Sequence, residues 1–132
     1  MRLSLPATSG QSYRRNVRVI IENSKIVGLQ AELADLDEAS AKLGFIRWQW
    51  EYYRATYDCK LVHKESGSDY YLRFNVRALE GKLEQKDALL NIEAVYLGKA
   101  TFPHGLDYSA PIPESILKVA NQKLEELKKL LA

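Results

Sequence analysis

Residues 70–78 constrain this chain more than any other stretch. Tyr70, Leu72, Phe74, Val76 and Ala78 alternate without a break against Tyr71, Arg73, Asn75 and Arg77. Successive strand residues point to opposite faces, so only an extended strand gathers the first set on one side. One face is apolar and the other polar, the signature of a half-buried strand.

The same period recurs on both sides. Tyr53, Ala55, Tyr57, Cys59, Leu61 and His63 share one parity, opposed by Arg54, Thr56, Asp58 and Lys60. Leu90, Ile92, Ala94 and Tyr96 share another, opposed by Asn91 and Glu93. The turn-forming segments "KESGSD" and "KLEQKD" separate these runs. Three long strands with short connections predict an antiparallel meander. One irregularity stands out in "RWQWEYYRATYDCKL". Trp48, Trp50 and Tyr52 lie on the opposite parity from Tyr53 onward. A continuous strand needs a bulge or a bend between Tyr52 and Tyr53 to do this.

Helices are expected before and after the strands. "DLDEASAKLG" places Leu36, Ala39, Ser40 and Leu43 on one helical face. Asp35 fits its N-cap, Glu38 the capping-box partner, and Gly44 the left-handed residue past its end. From about Pro113 to Leu131, Leu117, Ala120, Leu124, Leu127 and Leu131 repeat at spacings of three and four, and Ile116 widens the stripe. "VRVII" reads as a strand, and "IVGLQAEL" as a half-buried strand or extended segment. "PHGLDYSAPIP", with three prolines, reads as irregular. The expected architecture is α+β. An antiparallel β-meander sheet carries a short N-terminal helix and a long C-terminal helix packed on one face. Residues 1–18 form a loosely packed N-terminal extension, and 19–132 a single domain.

Composition narrows the function classes. A formal net charge of +2 over 132 residues is too balanced to attract nucleic acid by its field alone. Binding through Arg14, Arg15, Arg18 and the outward sheet arginines ranks last among the readings. Cys59 has no second cysteine to pair with, which points to a reducing compartment. No apolar run reaches membrane-span length. A cytoplasmic location is the expectation, with no membrane partner.

Four features compete as sites. Aromatics set among arginines can stack bases or ligands. Tyr57 and Cys59, however, share the apolar parity of Leu61 and read as core. Trp50 and Tyr52 precede the parity switch and could line a groove. His104, held between Pro103 and Gly105, suits a ligand contact or proton carrier, although a turn-stabilising role is favoured. Cys59 lies on the buried face and reads as an inert thiol. The C-terminal helix spans only about two heptads, so packing on the sheet is favoured over an independent coiled coil. A homodimer using this helix or a sheet edge stays open. No phosphate-binding loop, serine-nucleophile elbow or zinc spacing occurs, so no catalytic residue, metal or cofactor is assigned.

The ordered pieces "AELADLDEASAKLGFIR", "WQWEYYRATYDCKL", "YYLRFNVRALEG" and "PHGLDY", followed by the leucine-rich helix, resemble the YugN-like family of small proteins from Bacillus-type bacteria. The resemblance covers roughly residues 20–131. It implies an α+β domain in the cytoplasm of a Gram-positive bacterium and brings no catalytic residues. The first functional expectation is a non-enzymatic binding or regulatory module with a protein or small-molecule partner, using a groove at Trp50, Tyr52, His104 and Tyr108. Arg73 would hold an acidic group there. The alternative is a small enzyme or carrier whose acid-base pair is His104 with Asp107 or Asp58.

Overall fold

Alternation builds the centre of the molecule. The computed structural model describes residues 26–49, 51–101 and 105–132. Its elements run β1 (Gln30–Glu32), α1 (Leu33–Lys42), β2 (Ile46–Gln49), β3 (Arg54–His63), β4 (Ser68–Glu80), β5 (Leu89–Thr101), β6 (Gly105–Asp107) and α2 (Glu114–Leu131). The six strands form one sheet in the order β1-β5-β4-β3-β2, with β6 also on β5, and every pairing is antiparallel. The α+β meander expected from the sequence is therefore the observed fold. The expected strand over 17–21 and the extension 1–18 lie outside the described residues.

One face of the sheet makes the core. Ala55, Tyr57, Cys59 and Leu61 of β3 pack with Tyr70, Leu72, Phe74 and Val76 of β4 and Leu90, Ile92, Val95 and Leu97 of β5. Tyr57 stacks on Phe74 with centroids 4.8 Å apart, and Phe45 meets Phe74 edge-on at 5.2 Å. Leu33, Leu36 and Ala39 of α1 and Ile116, Ala120, Leu124 and Leu127 of α2 cover this face. The Lys123 ammonium donates to the Leu43 carbonyl at 2.7 Å, tying α2 to the end of α1. A cation at a helix C-terminus is favoured by the helix dipole.

The start of α1 differs from expectation. Its N-cap is Glu32, with no side-chain cap, and Asp35 sits in the first turn. The free N–H groups of Leu33 and Ala34 donate instead to the carbonyls of Ala88 and Lys86, at 2.9 and 3.0 Å. Backbone from the β4–β5 connection replaces the expected capping side chain. The C-terminus is as expected. Gly44 has φ +89°, Phe45 N–H donates to Ser40 O, and Gly44 N–H to Ala41 O. These two bonds form the Schellman arrangement, which needs a left-handed residue at Gly44.

Two parity expectations are corrected. The aromatic stretch is a hairpin, because β2 turns back on β3 with Ile46 opposite Asp58 and Trp48 opposite Thr56. The chain reverses between Gln49 and Arg54, which is why the apolar parity changes. In β5, Asn75 opposes Ala94 while Val76 opposes Ile92, so Glu93 is an extra residue in a bulge. Beyond it Val95 and Leu97 face the core, and Ala94 and Tyr96 point to the opposite side from Ile92. The "GLD" piece of the proline-rich segment is also regular, forming β6 against Lys99–Thr101.

Candidate functional site

Among the described residues, no helix covers the second face of the sheet. Cross-strand partners share a face, so the register assigns its members. They include Ile46 and Trp48 of β2, Thr56, Asp58 and Lys60 of β3, Tyr71, Arg73 and Asn75 of β4, and Ala94, Tyr96 and Gly98 of β5.

A polar network occupies its middle. Arg73 Nε donates to Asp58 Oδ1 at 2.7 Å and Nη2 to Asp58 Oδ2 at 3.0 Å. This is a two-pronged pairing that planar guanidinium and carboxylate groups favour. Arg73 Nη1 donates to the Tyr108 hydroxyl at 3.1 Å. Hydrogen bonding to Asp58 holds the guanidinium even more firmly protonated than usual, against the opposing effect of its partial burial. The Tyr108 ring lies 5.4 Å from that of Tyr96 and rests on Gly98. A Cβ at Gly98 would stand 2.8 Å from Tyr108 Cδ1, so the ring can lie there only because residue 98 has no side chain. One row further, Thr56 donates to Asn75 Oδ1 at 3.1 Å.

Apolar groups stand beside this network. Ile46 is 62% exposed and Trp48 is 54% exposed. Their neighbour Arg47 shares the face of its partner Tyr57, on the core side, and its Nε pairs with Asp37 Oδ1 at 3.0 Å. The Tyr57 hydroxyl, deep in the core, donates to the same Asp37 oxygen at 2.6 Å. Burial, followed by the Asp37 contact, pushes the Tyr57 phenol well above its usual range. Cys59 is buried near the Leu43 carbonyl, and burial raises its thiol too.

The sequence-predicted site residues are partly brought together. Arg73 and Tyr108 touch. Tyr52 lies elsewhere, near the far end of β4, with Lys82 Nζ 5.2 Å from its ring centroid. Ala78 N–H donates to Tyr53 O there, five positions along β4 from Arg73, roughly 17 Å at the rise of a strand. Trp50 and His104 lie outside the described residues. Both Asp58 oxygens accept from Arg73, and Asp107 accepts from the Ser109 amide and hydroxyl at 2.9 and 2.7 Å. Sequence reasoning missed Tyr96 and Gly98. Tyr96 was hidden by the bulge at Glu93, and Gly98 carried no signal beyond being a glycine within a strand. The opposite charges of Asp58 and Arg73, each on the polar side of its strand, were the available clue to their pairing.

The fold and this face can be compared with known proteins. The profile of the YugN-like family matches residues 21–130. The chain belongs to the YugN-like family. It is 32% identical over 111 residues to the uncharacterized protein YlbA of Bacillus subtilis (strain 168), covering 82% of this chain and 91% of that one. The crystal structure of the uncharacterized conserved protein YugN from Geobacillus kaustophilus HTA426 superposes with a TM-score of 0.71 at 38% identity, covering 83% of this chain and 92% of the other. The family resemblance read from the ordered motifs is thereby established, and neither relative's name assigns an activity. No helix among the described residues is long and apolar enough to cross a membrane.

Proposed function

We propose that this YugN-like chain is a non-enzymatic binding or regulatory module of the cytoplasm that works through the sheet face opposite its helices. One observation carries the reading. Ile46 and Trp48 stand more than half exposed on a face where Arg73, Asp58 and Tyr108 are already locked together. A rigid polar centre flanked by exposed apolar side chains is the composition of a binding surface, where aromatic anchors supply most of the energy. Arg73 and Tyr108 shape this surface. Tyr52 lies away from this centre, near the far end of β4, and Trp50 and His104 are proposed members on their sequence positions alone.

The test is affinity purification from a Bacillus-type host with wild-type chain and Trp48→Glu, followed by mass spectrometry of retained proteins and extracted small molecules. A specific species held by the wild type and lost from the variant is the expected result. Identical retention by both chains would remove the face from consideration.

A further inference from the structure

We propose that Ser66, in the β3–β4 turn, is a nucleophile activated by His63 and accepts an acyl group from an activated ester. The modification is stoichiometric and goes beyond the binding surface. Its base, His63, shares the helix side of β3 with Leu61, away from Asp58 and Arg73.

The turn holds three groups in series. Ser66 Oγ lies 2.6 Å from His63 Nδ1, and His63 Nε2 lies 3.4 Å from Glu65 Oε1. Nucleophilic catalysis uses this order, a nucleophile within hydrogen-bond reach of a base that a third group orients. The Ser68 amide donates to the Ser66 oxygen at 3.3 Å, which directs the hydroxyl's own hydrogen to His63. With its proton on Nε2, facing the Glu65 carboxylate, the imidazole leaves Nδ1 to accept that hydrogen. The His63 side chain is 15% exposed and meets the Tyr70 ring edge-on, with centroids 6.4 Å apart. The base is thus shielded while Ser66 itself is exposed. A Cβ on Gly67 would meet nothing within 4 Å, so the space beside Ser66 is open to a donor. The turn closes without these side chains, because Gly67 N–H donates to His63 O at 3.0 Å.

The step balances with no oxidant or cofactor. Ser66 Oγ bonds to the acyl carbon, and the bond from that carbon to the leaving oxygen breaks. The Ser66 proton passes to His63 Nδ1 and then to the leaving oxygen. The Lys64, Glu65 and Ser66 amides have no backbone acceptor among the described residues, and such amides stabilise a carbonyl oxygen as it gains charge. Glu65 is a positioning residue that acts through the ring. Its side chain is 86% exposed, so water weakens its effect relative to that of His63.

The full chain treated with p-nitrophenyl acetate, followed by peptide mass spectrometry, tests this. One acetyl group on Ser66 is expected, with fragment ions separating it from Lys64. General-base help is worth about 10²–10⁴-fold, and an exposed turn takes the lower end, so His63→Gln should slow Ser66 acetylation about 100-fold. Glu65→Gln should slow it a few-fold and move the His63 ring proton off Nε2, read by nitrogen NMR of the imidazole. Acetylation confined to lysines overturns the proposal, as does Ser66 labelling at the wild-type rate in His63→Gln. If His63→Gln fails to fold, Glu65→Gln decides, and an unchanged rate with an unchanged imidazole spectrum overturns it.

Discussion

Replacing Tyr57 by phenylalanine removes one oxygen from the core and changes how stability responds to alkaline pH. The Tyr57 residue is 1% exposed and its hydroxyl donates to Asp37 at 2.6 Å. A hydrogen bond to a charged group contributes about 1.5–3 kcal/mol. Asp37 keeps Arg47 at 3.0 Å, and its side chain is 38% exposed, so water can replace the lost donor. The lower end applies, and Tyr57→Phe should cost about 1.5 kcal/mol at neutral pH. For a chain of this size that lowers Tm by about 5 °C.

The sign of the pH effect follows from the raised phenol. The folded state holds Tyr57 neutral, so its contribution is complete below the unfolded tyrosine pKa of about 10 and fades above it. Each pH unit beyond that removes about 1.4 kcal/mol of wild-type stability through this one group. Phenylalanine has no proton to lose, and the other tyrosines cancel in the comparison. The gap between wild type and Tyr57→Phe in urea melts should therefore be steady from pH 7 to 9 and close near pH 11. A gap that stays constant to pH 11 would refute the burial of an un-ionised phenol.

Other outcomes follow from the same contacts. Among the described residues the buried Ser40 hydroxyl has no hydrogen-bond partner, so Ser40→Ala should be neutral or stabilising by up to about 1 kcal/mol in urea melts. Gly98→Ala should destabilise by about 1–3 kcal/mol through overpacking against Tyr108, and the penalty should shrink in a Tyr108→Ala background. Asp58→Ala strands the half-buried Arg73 guanidinium and should cost about 2 kcal/mol in urea melts, with Asp58→Ala/Arg73→Leu less destabilised than Asp58→Ala alone. Burial keeps Cys59 protonated at neutral pH, so a thiol reagent should label it only as fast as the chain unfolds, followed by mass spectrometry.

Legibility in the sequence tracked how local each cause was. β4 was readable because one face is buried along most of its length, and the alternation from Tyr70 to Val76 is unbroken. Gly44 was readable because a left-handed residue past a helix has a strong glycine preference. The α2 stripe was readable because helical spacing alone sets it. The cap of α1 was not, since its acceptors are carbonyls some fifty residues away in the chain. The β2–β3 reversal also escaped, because "WEYY" holds no glycine, proline or asparagine to announce a turn. Of the candidate site, Arg73 and Tyr108 are named from the sequence and touch in the structure, but their other partners depend on strand register, which no single segment encodes.

The two parity breaks give the sheet face opposite the helices its present form. Without the extra residue at Glu93, strict alternation from Ile92 would send Ala94 and Tyr96 into the core and turn Val95 and Leu97 outward. Tyr108 would then lose its ring neighbour beside Arg73. The bulge reverses that assignment while Arg77 holds the extra residue through its carboxylate. The β2–β3 reversal does the same for the other end. It brings Ile46 and Trp48 alongside Asp58 and Thr56 on the polar face rather than beside Tyr57 in the core. Bulges that re-aim side chains tend to occur beside working surfaces, and departures from local sequence rules concentrate where function requires them. Both departures here deliver aromatic side chains, Trp48 and Tyr96, to the one face that the described helices leave open, and that convergence is the strongest physical reason to test this face for binding.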